Sequence, residues 1–148
     1  MCGIYLTNIP FSNKQVEQKL EKIRFRGPDN ISVLKNENIS LGHLRLSILD
    51  LDERSNQPFN FRHLSLVYNG EIYNFKEIRK ILIEEGYFFD TTSDTEVLLK
   101  GYHAWGEKIL DRINGMFAFA VYDENKKEVF VARDRLGVKP LYYSWQNG

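Results

Sequence analysis

The chain holds one cysteine in 148 residues, and it stands at position 2, between Met1 and Gly3-Ile4. A lone cysteine would fall there by chance roughly one time in 150, so the position asks for a chemical reason. A small residue at position 2 lets the initiator methionine be trimmed. Trimming leaves a thiol and a free α-amine on the same residue. The ordinary pKa of such an amine is about 8, so part of it is unprotonated at neutral pH and can take the thiol proton, directly or through one water. A nucleophile and its base then share one residue, and no histidine is required. The other reading of Cys2 is a small, inert side chain buried near the start of a strand.

A thiolate that attacks a carbonyl creates an oxyanion, which needs hydrogen-bond donors. Asn69-Gly70 offers a side-chain N–H and a backbone N–H that a substrate can approach closely. The same pair is also the commonest two-residue hairpin turn. Here it is followed by Glu71-Ile72-Tyr73-Asn74 and a helix start, not by a return strand. An amino-acid substrate needs one fixed cation and one fixed anion. Arg45, in the run His43–Leu49, suits a carboxylate held bidentately. Asp94 and Glu71 suit an α-ammonium. Each also has a plainer reading: Arg45 on a solvated strand face, and Asp94 complementing a helix macrodipole. No Walker-type phosphate loop, no G-x-G-x-x-G and no G-x-S-x-G elbow occurs, which argues against nucleotide binding and serine hydrolysis.

Those residues must be held by elements that the sequence also announces. Residues 2–7 read as a buried strand. Ser12 caps a helix expected to run to about Phe25, with Gly27-Pro28 as its stop. Residues 31–35 and 39–49 read as strands, 50–63 as a polar loop, and Leu64 to Tyr68 as a short strand ending at Asn69-Gly70. Asn74 with Glu77 forms a capping box for a helix closed by Gly86. Ser93-Asp94-Thr95-Glu96 forms a second box, for a helix to about Trp105. A shorter helix is expected at 107–113, a hairpin over 116–123 and 128–134, and a last strand at Leu141–Trp145. Asn147-Gly148 looks like a hairpin turn without its return strand, so the chain reads as part of something longer. Strands at both ends with helices between them, joined as hairpins, predict two antiparallel sheets with helical cover in one domain over residues 1–148.

Composition narrows the partners. Lys+Arg and Asp+Glu are 20 each, so the net charge is zero. That balance argues against nucleic acid or an anionic membrane as the main partner. One cysteine allows no internal disulfide and suits a reducing cytoplasm. Three dispersed histidines make no metal pattern. Residues 1–10 do not read as a signal peptide, and no apolar run approaches the ~20 residues of a membrane span.

The words of the sequence occur in a telling order. They are Cys2-Gly3-Ile4, Arg26-Gly27-Pro28-Asp29, Gly42-His43-Leu44-Arg45-Leu46-Ser47-Ile48, Gln57-Pro58 and Asn69-Gly70-Glu71-Ile72-Tyr73-Asn74. Ser93-Asp94-Thr95-Glu96, Gly115–Ala120 and Ala132–Gly137 follow. Over nearly its whole length the chain resembles the N-terminal class II glutamine amidotransferase domain of glutamine-dependent asparagine synthetases. The resemblance implies an α+β fold, a four-layer αββα sandwich of the N-terminal-nucleophile hydrolase type, shortened at its C-terminal end. It implies Cys2 as the nucleophile after Met1 removal and Asn69 and Gly70 as the oxyanion hole. It implies that Arg45 holds the α-carboxylate of L-glutamine, that Asp94 and Glu71 hold the α-amine, and that Arg45, Leu46, Ser47, Ile48 and Leu49 line the pocket partly by backbone. Arg26 would sit in the wall near Cys2.

In that family glutamine is split to glutamate and ammonia, and the ammonia passes to a synthetase domain, in cis or in trans, that amidates aspartate. ATP and magnesium would be needed only there; this domain would need no cofactor and no metal. A homodimer is compatible with the family. Two alternatives stay open: service to another carboxylate acceptor, such as one in surface-sugar biosynthesis, or a non-catalytic regulatory domain with the same fold. Phe25 stands where the family usually has histidine just before Arg26, and little catalytic loss is expected from it.

Overall fold

Alternation decides which way each strand faces. The structure, a computed structural model, describes residues 1–145. β1 (Gly3–Thr7), β2 (Asn30–Lys35) and β3 (Ser40–Arg45) form an antiparallel sheet in the order β1-β3-β2. Ile4, Leu6, Leu34, Ile39 and Leu41 leave it on one face. Tyr5, Ile31, Val33 and Leu44 leave it on the other, where they meet Val16 and Leu20 of helix α1 (Asn13–Glu21). β4 (Phe59–Phe61), β5 (Leu64–Ile72), β6 (Gly115–Asp123) and β7 (Glu128–Arg133) form a second antiparallel sheet in chain order. Its inner residues Val67, Ala120 and Tyr122 pack on the first sheet. Its outer residues Leu66, Tyr68, Phe117 and Phe119 pack on α2 (Phe75–Glu84) and α3 (Asp94–Trp105). The layers therefore run helix, sheet, sheet, helices. Leu20, Leu82, Leu98 and Leu99 are fully buried, and each side chain of that size stabilises the fold by about 1.5–3 kcal/mol on burial.

Local chemistry sets the helix starts. Ser12 and Gln15 form the reciprocal capping box of α1. Ser93 accepts from the Glu96 N–H at the head of α3. Asn74 departs from expectation: its amide makes no cap but bridges to the Arg112 carbonyl and the Asn114 N–H, tying α2 to the start of β6. α1 also stops at Glu21, short of Phe25. Tighter bonds from Ile23 N to Leu20 O and from Arg26 N to Ile23 O wind residues Arg24–Arg26 into a 3₁₀ turn. The segment expected as a helix at 107–113 is a 3₁₀ turn over Gly106–Asp111.

Three strand boundaries move as well. β3 ends at Arg45 rather than at 49, where its partner β2 begins at Asn30. A short strand, β4, sits inside the expected loop and pairs with the first residues of β5. β5 does not stop at Tyr68: Asn69 and Gly70 lie within it, paired with Ala118 and Phe117 of β6, so they are not a hairpin turn. Leu141–Trp145 forms no strand, and Tyr142, Tyr143 and Trp145 are exposed. The expected turn at Asn147-Gly148 lies outside the described residues.

Candidate active site

One step beyond the Gly3↔Leu44 pair, the start of β1 and the end of β3 bring Cys2 beside the chain leaving Arg45. The Cys2 Sγ lies 3.4 Å from the Leu46 N–H, which donates to it, and 3.7 Å from the Leu46 carbonyl. Arg26 lies against Cys2: its Nε donates to the Cys2 carbonyl at 3.1 Å. The approach depends on Gly27, where any Cβ would collide with the Leu44 carbonyl. Asp29 is a site residue that sequence reasoning did not single out. Its carboxylate accepts from the Ser47 N–H at 2.7 Å and its own N–H donates to the Arg45 carbonyl at 3.0 Å, which fixes the exit from β3. Burial pushes the Cys2 thiol up; the Leu46 N–H, the amine of Met1 and Arg45 only partly offset that, and Asp94 adds to the rise. A buried thiol with a raised pKa needs a base at hand.

The second sheet brings Asn69 and Gly70 to the same cavity as Cys2. Along β5 the N–H groups of odd-numbered residues face β6, as the Tyr73 N–H to Asn114 O bond continues to show. Those of Tyr68, Gly70 and Ile72 face the opposite edge. β4 has already ended there, at Phe59↔Leu66. The Tyr68 N–H goes to Gln57 Oε1 at 2.6 Å and the Ile72 N–H to Asp94 Oδ2 at 3.0 Å. Between them the Gly70 N–H has no side-chain or loop partner among the described residues. Gly70 has to be glycine, because a Cβ would meet the Met116 carbonyl and Phe117 Cα. Asn69 is buried and shares with Val67 the face turned toward the first sheet.

Asp94 comes to the same edge from the first turn of α3. Its Oδ2 accepts from the Tyr68 hydroxyl at 2.7 Å as well as from the Ile72 N–H. Burial pushes its carboxyl up, the hydrogen bonds from Ile72 and Tyr68 oppose this, and Glu71 adds to the rise. Two carboxylates in one cavity favour a cationic ligand. Cys2, Arg45, Asn69, Gly70, Glu71 and Asp94 all line one cavity of about 150 Å³, joined by Leu46, Ile48 and Leu49. Ser47 does not line it; its N–H is turned to Asp29. A broader depression of about 660 Å³ at Asn13 and residues 33–37 is lined by no cysteine, serine or threonine. No group of three or more His, Cys, Asp or Glu suited to a metal is found among the described residues.

Arg45 is buried, but its fork is not turned into the cavity. Nη1 donates to the Asp52 carbonyl at 2.9 Å and to Asn56 Oδ1 at 2.7 Å. Nη2 donates to the Asp50 carbonyl and to the Leu49 carbonyl at 3.5 Å. The loop from 49 to 56 therefore wraps the guanidinium and leaves Nε and the charge for a ligand. Sequence reasoning read this stretch as a polar loop and missed that wrap. It also missed His43, two residues before Arg45 and so on the same strand face. His43 lines the cavity and is fully buried, with neither ring nitrogen hydrogen-bonded among the described residues. Burial, aided by Arg45, holds its pKa down at about 3, so the imidazole is neutral.

Asp50 latches the wrap. Its Oδ2 accepts from the Thr92 N–H at 2.6 Å and the Thr92 hydroxyl at 3.1 Å, and Arg54 pairs with the same oxygen at 3.2 Å. Burial pushes this carboxyl up, but those three partners outweigh it and hold the pKa at about 2, against an ordinary 3.8. A depressed carboxylate stabilises the fold above its unfolded pKa and loses that contribution as pH falls through the folded value. Asp50 has φ 44°, a left-handed geometry that asparagine accepts. Asp50→Asn is therefore expected to lower Tm by about 2–4 °C at pH 7, from the loss of about 1 kcal/mol. The gap between variant and wild type should close as pH falls from about 4 to 2. Thermal melts across that range check both statements.

Comparison with known proteins gives the arrangement a context. Residues 1–148 match the model of the glutamine amidotransferase domain family. The chain is 42% identical over 154 residues to asparagine synthetase [glutamine-hydrolyzing] 3 of Bacillus subtilis, covering 97% of this chain and 25% of that protein. It is 40% identical over 156 residues to asparagine synthetase [glutamine-hydrolyzing] 1 of the same organism, covering 99% of this chain and 24% of that protein. It thus spans about a quarter of the length of these relatives. Among solved structures it is similar to the glutamine phosphoribosylpyrophosphate amidotransferase of B. subtilis, with a TM-score of 0.60 and 29% identity over 70% of this chain and 24% of that one. No helix among the described residues is long and apolar enough to cross a membrane.

Proposed function

The chain belongs to the glutamine amidotransferase domain family, and on that premise we propose that it hydrolyses L-glutamine to glutamate and ammonia, as the glutaminase half of an asparagine synthetase. Its nucleophile is Cys2 after removal of Met1. The α-amine takes the thiol proton as Sγ attacks the side-chain amide carbon. The tetrahedral oxyanion rests on the Asn69 amide N–H and the Gly70 backbone N–H. The C–N bond breaks, the amine returns its proton to the leaving nitrogen, and ammonia departs from a Cys2 thioester. Water then attacks the thioester and releases glutamate and the thiol.

The observation that carries this reading is the unpartnered Gly70 N–H on an open strand edge, in one cavity with Cys2 and with walls of both charges. Asp94 and Glu71 take the substrate ammonium. Arg45 faces the carboxylate through Nε and its charge, while Leu46, Ile48 and Leu49 shape the pocket. Residues 1–148 belong to this domain, which needs no cofactor of its own; ATP and magnesium belong to a synthetase domain, in cis or in trans, that uses the ammonia to amidate aspartate. The names of the relatives support that acceptor. We place the reaction in the cytoplasm, where a single thiol stays reduced, with neither nucleic acid nor membrane as partner and a homodimer as one assembly compatible with the family.

The test is glutamine turnover by the Met-trimmed chain without ATP, with ammonia and glutamate released in equal amounts. Arg45→Ala is expected to raise KM about 30-fold, the equivalent of about 2 kcal/mol for a buried charge contact, with a smaller fall in kcat. No turnover, or an unchanged KM in Arg45→Ala, would overturn the reading of the pocket.

A further inference from the structure

Lys139 follows Gly137-Val138 in the segment after β7 and has no part in the mechanism above. It is only 5% exposed. It lines the same cavity as Cys2, Asn69 and Gly70. Its hydrogen bonds among the described residues are made by its backbone alone. The ion pairs of the described residues are Arg54–Asp50, His63–Asp123, Lys100–Glu96 and Lys126–Asp123. Lys139 is in none of them. A nearly buried lysine whose ammonium has no hydrogen-bond or ion-pair partner among the described residues, in the wall of a cavity, points to a negative charge that arrives there.

Its backbone is placed firmly. The Asp134 Oδ2 accepts from the Phe117 N–H at 3.2 Å and from the Lys139 N–H at 2.9 Å. The Asp134 Oδ1 accepts from the Val138 N–H at 2.8 Å. Arg133 Nε donates to the Lys139 carbonyl at 2.6 Å, and Gly137 makes the left-handed bend at φ 65°. One carboxylate oxygen thus binds both Lys139 and Phe117, and Phe117 is the strand partner of Gly70. Lys139 comes from beyond β6, and it lines the cavity together with Cys2, Asn69 and Gly70. Arg45 lies on the loop side, with its Nη atoms occupied by oxygens of residues 49–56.

We propose that Lys139 is an electrostatic positioning residue of the glutaminase site, an ammonium that faces the oxyanion formed between Cys2, Asn69 and Gly70. The proposal rests on the glutaminase reading. Charge that appears only in the transition state makes kcat, not KM, sensitive to such a group. The substrate carboxylate is charged before and during the reaction, so a lysine that reads it would move KM instead.

The experiment compares wild type, Cys2→Ala, Lys139→Met and Lys139→Arg as Met-trimmed chains, each with a thermal melt. Lys139→Met keeps most of the stem and removes the charge. It is expected to lower kcat about tenfold or more while KM stays within about twofold. Lys139→Arg should recover much of that loss at the wild-type melting temperature. A raised KM with unchanged kcat would overturn the proposal in favour of a carboxylate contact. Unchanged kinetics would overturn it in favour of a plug in the wall. Equal losses in the Met and Arg variants would show a packing role and overturn it too. Should Lys139→Met fail to fold, Lys139→Gln carries the same comparison. Wild type active and Cys2→Ala inactive confirms that the underlying reading stands whatever Lys139 does; a wild type that leaves glutamine intact overturns that reading and this proposal together.

Discussion

Cys2→Ala is expected to bring glutamine hydrolysis to background, a loss on the order of 10⁴-fold or more, because no other group in the cavity replaces a missing nucleophile. His43, the one histidine in the cavity wall, is neutral with a pKa of about 3 and stands on β3 one pleat away from Arg45. The base must therefore be close to the thiol, and the α-amine of Cys2 is the group that chemistry puts there. A chain that keeps Met1 has an amide in place of that amine. Such a chain is expected to be as inactive as Cys2→Ala, although the thiol is intact. Because burial pushes the thiol up, little thiolate forms on its own at neutral pH, and the dependence on the amine is strong. For the trimmed enzyme, kcat/KM should rise with pH as the amine loses its proton, around its ordinary pKa of about 8. Mass spectrometry of the N-terminus, read beside ammonia release from pH 6 to 9, checks all three statements. An active protein that retains Met1 would sink the mechanism.

Much of this site was legible because its residues lie on regular elements at fixed spacing. Cys2 stands at the start of a strand, Arg45 ends another, and Asp94 follows the Ser93 cap of a helix; each of those positions is a local property of the sequence. Asn69-Gly70 was harder. The pair has the composition of a turn, yet the register with Ala118 and Phe117 keeps it inside β5. Strand pairing overrode local preference there. The reverse happened at Leu141–Trp145, where an apolar run forms no strand among the described residues, because a ladder needs a partner that composition cannot supply. The wrap of Arg45 by residues 49–56, the latch of Asp50 on Thr92 and the delivery of Lys139 by Asp134 were not readable at all. Each depends on backbone groups from distant segments meeting in space, and no pattern of residue types encodes those meetings.

Asn69→Ala separates the oxyanion hole from a merely structural strand. Asn69 is buried and lines the cavity, but its side chain makes no hydrogen bond among the described residues. Removing the amide therefore breaks no bond that holds β5 in place, and the melting temperature should change little. In the proposed reading the substrate is gripped elsewhere, by Arg45 at its carboxylate and by Asp94 and Glu71 at its ammonium, so KM is expected to stay within a few-fold. What the amide meets is charge that exists only while the tetrahedral intermediate forms and collapses. A donor of that kind is worth about 10²–10³ in kcat. The neighbouring Gly70 cannot give the same information: a Cβ there would drive into the Met116 carbonyl, and any loss would mix strand disruption with lost catalysis. Steady-state kinetics with glutamine, paired with a thermal melt, decide the matter. A fall in kcat of about 10²-fold at constant KM and constant stability assigns Asn69 to the oxyanion. A near-normal kcat would leave Asn69 as an ordinary residue of β5 and move the search for the second donor to the chain leaving β3, where the Leu46 N–H already lies beside the thiol.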